Sequence, residues 1–188
     1  MTKDEIKALQ AKVGATPDGF WGALSIAACK QHLDHLAPPV NPWPASTQEA
    51  LQDFYGSAGD EEQLVNIDVS DCSVRYEGQL VRTIRCHNKV AESLGRIIGV
   101  LSNIPQGRAA LKQYAGVFND RPMRGGSLPS LHARGAAIDL DPGPNRNKQA
   151  WPTSATMPLE VMEVFAAEGW VCAGSAWGRD AMHFQATK

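Results

Sequence analysis

The chain has 188 residues, of which 43% are hydrophobic and 20% charged, with a formal net charge of −2. That length suits one well-cored domain of roughly 100–150 residues plus a small extra module. The near-neutral balance excludes nucleic acid as the default partner, and no apolar run approaches the roughly 20 residues a membrane helix needs.

Residues 1–36 read as a small helical unit. Thr2 followed by Glu5 is a capping-box pattern, Ile6, Leu9 and Val13 recur at helical spacing, and Gly14 can close the helix. The start of the chain is amphipathic rather than continuously apolar, so no signal peptide is expected and synthesis in the cytoplasm follows. A second helix is predicted over 23–36. Residues 37–60 form a proline-rich linker and a short helix from Ser46 to Tyr55, with Ser46 and Glu49 as its capping box. Residues 61–188 form the main domain. Its first stretch, to about 71, is polar, acidic and turn-rich, and a hairpin over 72–86 turns at Glu77-Gly78. The strongest helix follows, with Val90, Leu94, Ile97, Ile98 and Leu101 on one face. Another covers 158–168, with Pro158 at its first position and Gly169 after its end. Short strands are predicted at 115–120, 136–141, 169–173 and 181–186. Helices mixed with short strands, without regular βαβ alternation, predict an α+β domain with a mainly antiparallel sheet flanked by helices, preceded by the small all-α module.

Four cysteines, Cys29, Cys72, Cys86 and Cys172, form no C-x-x-C pair. Free buried thiols are expected rather than a cysteine metal site, and a Cys72–Cys86 bridge is the lesser alternative. Of the five histidines, His32 and His35 read as solvated helix residues, and they and His87 receive no role.

Two stretches can carry chemistry. In Ser130-Leu131-His132-Ala133-Arg134-Gly135-Ala136-Ala137-Ile138-Asp139, the aspartate lies inside what otherwise reads as a buried strand. A carboxylate there requires either backbone or arginine donors or a bound cation, and spacing alone does not choose. In Trp177-Gly178-Arg179-Asp180-Ala181-Met182-His183-Phe184-Gln185, an aspartate precedes a histidine by three residues. Alone, His183 reads more readily as a packed core residue. If His132, Asp139 and His183 converge, two imidazoles and a carboxylate make a catalytic zinc set with a fourth position for water. Asp180 would then be placed to move protons, and Arg121 or Arg124 to stabilise an oxyanion, although both also read as solvated loop arginines.

The segment Ser130-x-His132-x-x-Gly135-x-Ala137-x-Asp139, with Asp180-x-Met182-His183-Phe184-Gln185, resembles the signature of the D-alanyl-D-alanine carboxypeptidase family of zinc peptidases. That family includes the vancomycin-resistance carboxypeptidases and phage L-alanyl-D-glutamate endopeptidases, and its wider group includes the hedgehog signalling domain. The resemblance spans about residues 80–186. It implies one zinc ion held by His132, Asp139 and His183, a general base at Asp180, a substrate-clamping arginine at Arg121 or Arg124, and substrate contacts at Ser130 and Trp177. The N-terminal unit is similar to a peptidoglycan-binding helical module through Ile6-x-x-Leu9-Gln10 and Asp18-Gly19-x-Trp21-Gly22, although Ala23 and Ser25 stand where that module usually has Pro and Thr.

Together the two parts resemble a phage endolysin. The resemblance implies hydrolysis of a stem-peptide bond in bacterial peptidoglycan, with the L-Ala–D-Glu bond favoured. It also implies a monomer made in the host cytoplasm that reaches the wall through a pore. A D,D-carboxypeptidase or D,D-endopeptidase is the rival within the class. A non-catalytic, metal-containing wall-binding domain is the rival outside it. No pair of carboxylates supports a muramidase.

Overall fold

The computed structural model describes residues 1–123 and 125–188, and Arg124 lies outside the described residues. The first helix, α1 (Lys3–Lys12), begins as its sequence requires. The Thr2 hydroxyl accepts from the Glu5 amide at 3.3 Å, and the Glu5 carboxylate accepts from the Thr2 amide at 2.6 Å. Helix α2 (Ala23–Leu36) follows, and α3 (Gln48–Tyr55) is capped by Thr47, whose hydroxyl accepts from the Ala50 amide at 3.3 Å. The expected Ser46 cap therefore moves by one residue. The Ser46 hydroxyl instead meets the Gln185 side chain at 3.3 Å.

The polar stretch before residue 72 contains a strand, β1 (Leu64–Asp68), that periodicity does not reveal because its side chains are exposed or half-buried. It pairs antiparallel with β4 (Thr83–His87), opposite Leu64 to His87 at one end and Asp68 to Thr83 at the other. The predicted hairpin survives only at its tip, as β2 (Arg75–Tyr76) and β3 (Gln79–Leu80) around Glu77 and Gly78. Both turn residues have positive φ, 48° and 81°, the backbone hand that suits a two-residue hairpin loop.

Helix α4 (Ala91–Asn103) buries the predicted face: Leu94, Ile97, Ile98 and Leu101 are all at most 1% exposed. Helix α5 (Pro105–Leu111), with Pro105 at its start, crosses α4 closely enough that Gly107 lies against the Leu101 backbone. The main sheet has the order β5-β6-β8-β7, all antiparallel: β5 (Tyr114–Gly116), β6 (Ala137–Leu140), β8 (His183–Gln185) and β7 (Val171–Cys172). Helix α6 (Leu159–Ala167) covers the sheet, and α7 (Ala173–Trp177) leads into β8. Pro158 caps α6 from outside rather than occupying its first turn. The α+β architecture with a mainly antiparallel sheet is as expected.

The N-terminal helices share the hydrophobic cluster of the rest of the chain, through Leu9, Val13, Cys29 and Leu33. Helix α2 packs on α6, where His32 Nε2 lies 2.8 Å from the Glu163 carboxylate, so His32 is not simply solvated. Lys12, at the end of α1, pairs with Glu160 and Glu163 of α6 at 3.1 and 3.0 Å. The proline-rich segment is anchored too. Trp43 is 6% exposed, stacks edge-on with Trp170, and donates its indole N–H to the Glu168 carbonyl at 2.8 Å. All four cysteines are free, and Cys29, Cys86 and Cys172 are buried.

Candidate metal centre

Two neighbouring strands bring the first pair of groups together. In the β6–β8 register Asp139 lies directly opposite His183, so both side chains leave the sheet on the same face. The resulting contact is 3.0 Å from His183 Nδ1 to Asp139 Oδ1. His132 comes from a 3-10 turn, Leu131–Arg134, just before β6. Gly135 ends that turn in the left-handed region, with φ of 67°. A Cβ at Gly135 would stand 2.7 Å from Leu64 and 2.9 Å from the His87 nitrogen, and the Gly135 carbonyl accepts from the His87 amide at 2.9 Å. Only glycine satisfies both the backbone hand and this approach of the turn to β4. The turn swings His132 Nε2 to 3.3 Å from Asp139 Oδ1 and 3.2 Å from His183 Nδ1.

The outer ring nitrogens fix the tautomers. His132 Nδ1 is 2.7 Å from the Val117 carbonyl oxygen, which can only accept, so this nitrogen carries the hydrogen. His183 Nε2 is 3.1 Å from Gln185 Oε1, while the Gln185 amide nitrogen donates to Thr187 at 2.7 Å and to Ser46 at 3.3 Å. His183 therefore donates through Nε2. Each ring then turns a lone pair inward, towards a carboxylate oxygen that is also an acceptor. Three acceptors this close repel one another unless a proton or a cation lies among them. Two imidazoles and one carboxylate, held from behind by a carbonyl and a carboxamide, fit a divalent cation of the nitrogen- and oxygen-liking kind.

The surroundings set the charge states. With a proton rather than a cation in that gap, burial raises the Asp139 pKa, but hydrogen bonds from His132 and His183 outweigh it and hold the group well below the usual carboxylate range. Burial presses the His183 pKa down, and the hydrogen bond and charge of Asp139 outweigh that, so the net direction is upward.

Two cavities meet at this cluster. One, of about 200 Å³, is lined by Ser130, His132, Asp139, Trp177, Asp180 and His183 among others. The second, of about 370 Å³, shares His132 and Asp139 with it, and Arg121 lines both. The structure therefore gathers every described residue singled out in the sequence around one cleft. Asp180 is half-buried with φ of 58°, and its carbonyl accepts from the His183 amide at 2.9 Å. Trp177 is 48% exposed and lies 5.7 Å from the His183 ring at an interplanar angle of 25°. Ser130 is 5% exposed, and its hydroxyl has no hydrogen-bond partner among the described residues. Its amide donates to the Arg121 carbonyl at 3.1 Å, which ties the arginine to the base of the 121–130 loop. Sequence reasoning gave no role to Gln185 or Val117. For Gln185 a signal existed, since a residue two places after His183 in a strand shares its face. For Val117, which acts through its carbonyl, side-chain identity carries no signal.

No curated protein and no solved structure matches the chain. Residues 124–186 match the model of the family described as D-alanyl-D-alanine carboxypeptidase, and over that stretch, which holds His132, Asp139 and His183, the chain is similar to this family.

Proposed function

We propose that the protein is a zinc-dependent peptidase acting on the stem peptide of bacterial peptidoglycan, with the L-Ala–D-Glu bond as its target. The observation that carries this reading is the inward convergence of three acceptor atoms whose outer partners fix both histidine tautomers. The family match over residues 124–186 supports a metallopeptidase.

His132, Asp139 and His183 would hold the ion. Bound there, zinc supplies Lewis acidity, which polarises a carbonyl and lowers the pKa of water towards roughly 7. Asp180, on the wall of the same cleft, accepts the proton of the attacking water and returns it to the leaving amine. Arg121 stabilises the oxyanion of the tetrahedral intermediate, and the buried Ser130 hydroxyl takes a hydrogen bond from or to the substrate backbone. Trp177 offers an exposed aromatic face beside His183 for the peptide chain. Residues 1–36 act as the wall-binding part. As a phage endolysin the protein would be made in the host cytoplasm and reach the wall through a pore.

The test is turbidity of purified cell walls, followed by mass spectrometry of the digest. Lysis abolished by chelator and restored by zinc, with a new free amine on D-Glu, is expected. Loss of terminal D-Ala would replace the endopeptidase with a D,D-carboxypeptidase. Wall binding without lysis at any zinc level would overturn the enzyme reading in favour of a metal-containing binding domain.

A further inference from the structure

The larger cavity beside the metal centre carries a second arginine that the proposed mechanism does not use. Its walls carry Arg85 from β4, Arg121, Tyr76 and Tyr114, and Asp139 at the metal centre is the single acid among its lining residues. Arg85 is far from the metal-site motifs in sequence, and the β1–β4 ladder brings it here. Its guanidinium is held from two sides. Nη1 donates to Glu61 at 2.5 Å, and Cζ lies 5.8 Å above the Phe118 ring. Those are its only side-chain partners among the described residues, so most of the five-donor fork remains for a ligand. Among the described residues Arg121 likewise makes one side-chain hydrogen bond, to the Pro122 carbonyl at 3.2 Å. A pre-positioned arginine fork facing a polar cavity is built for a carboxylate.

The inference rests on the reading of the site as a stem-peptide peptidase. In an L-Ala–γ-D-Glu unit, the D-Glu α-carboxylate is attached to the carbon that bears the scissile nitrogen. A peptide whose scissile carbonyl sits at the metal centre would place that carboxylate two bonds beyond the leaving nitrogen, on the wall of the active cleft. We propose that Arg85 is a specificity residue that binds this free α-carboxylate, so that the enzyme selects stem peptides with D-Glu over those amidated to D-isoglutamine. The amide keeps the shape but presents a neutral group with hydrogen-bond donors towards a guanidinium that can only donate.

The test compares two synthetic peptides, N-acetyl-L-Ala-γ-D-Glu-L-Lys and its α-carboxamide, with the zinc-loaded wild-type protein and with Arg85→Gln and Arg85→Lys. A charge-assisted contact of this kind predicts about a 10- to 100-fold preference of the wild type for the acid in kcat/KM, carried mainly by KM. Arg85→Gln loses that preference while its cleavage of the amide stays near wild type, and Arg85→Lys retains part of it. A wild-type enzyme that cuts both peptides equally, or an Arg85→Gln variant that keeps the full preference, overturns the proposal. If the wild type cuts neither peptide, the reading of the bond fails on its own terms. Calorimetric titration of the metal-free protein then decides the pocket: acid binding that Arg85→Gln abolishes upholds it, and equal affinity for acid and amide overturns it.

Discussion

At the scale of single residues, the centre divides into groups that would touch the ion and groups that aim them. Asp180 belongs with neither, which makes its substitution informative. Asp180→Ala leaves His132, Asp139 and His183 in place, so metal analysis is expected to find stoichiometric zinc while wall lysis falls by about 10²- to 10⁴-fold, the range of a lost acid–base group. Retention of both zinc and near-wild-type lysis would remove Asp180 from the mechanism. Gln185 acts one step further out, through His183 Nε2. Gln185→Leu should weaken zinc affinity by about 10- to 100-fold in a competition titration with a chelator, with kcat at saturating zinc changed much less. An unchanged affinity would mean that another group orients the ring. His132, Asp139, His183 and Asp180 were legible from two motifs. Gln185 stands within one of them, and the Val117 carbonyl is not legible at all, because a backbone acceptor leaves no trace in residue identity.

At the scale of elements, helices with one apolar face are legible in the sequence, as are the short strands of the main sheet, whereas the exposed strand β1 is not. Helix α4 declared itself because its buried residues recur at the helical period. Strand β1 did not, because its exposed and half-buried side chains do not alternate, and its pairing with β4 is made by backbone groups. Helix α5 was missed for a related reason: it is short, and glycine and proline stand in it. Gly107 shows what that glycine does. A Cβ there would meet the Leu101 carbonyl oxygen at 2.3 Å and its Cα at 2.6 Å, so α4 and α5 could not cross as they do. Gly107→Ala is expected to lose about 1–3 kcal/mol, seen as a Tm lowered by roughly 2–12 °C. Gly99→Ala, in a helix interior with nothing within 4 Å of the new methyl, should instead raise Tm slightly. Equal effects of the two substitutions would mean that helix crossing does not limit position 107.

At the scale of the whole molecule, the question is how far residues 1–36 stand apart. Their resemblance to a peptidoglycan-binding module suggests a separate wall-binding unit, yet Cys29 and Leu33 lie in the shared core and α2 covers α6. Trp21 also meets Trp151 edge-on at 5.5 Å. Deletion of residues 1–36 should expose that face, and each buried aliphatic or aromatic side chain left uncovered weakens the core by about 1.5–3 kcal/mol. A Tm lowered by roughly 5–10 °C is expected, together with reduced wall binding in a sedimentation assay. A truncated protein that melts as the full chain does would establish the unit as an independent module on a tether.

The sequence by itself determined the α+β class, the amphipathic helices, the capped start of α1 and the candidate donor set, because these depend on local periodicity and on residue types at short spacing. Only the tertiary structure decided that His132, Asp139 and His183 meet, which cavity Arg85 enters, and how the N-terminal helices lie. The first follows from the β6–β8 register and the close backbone approach at Gly135, the second from the β1–β4 ladder, and the third from packing of α2 on α6, all of them contacts between segments far apart in the chain.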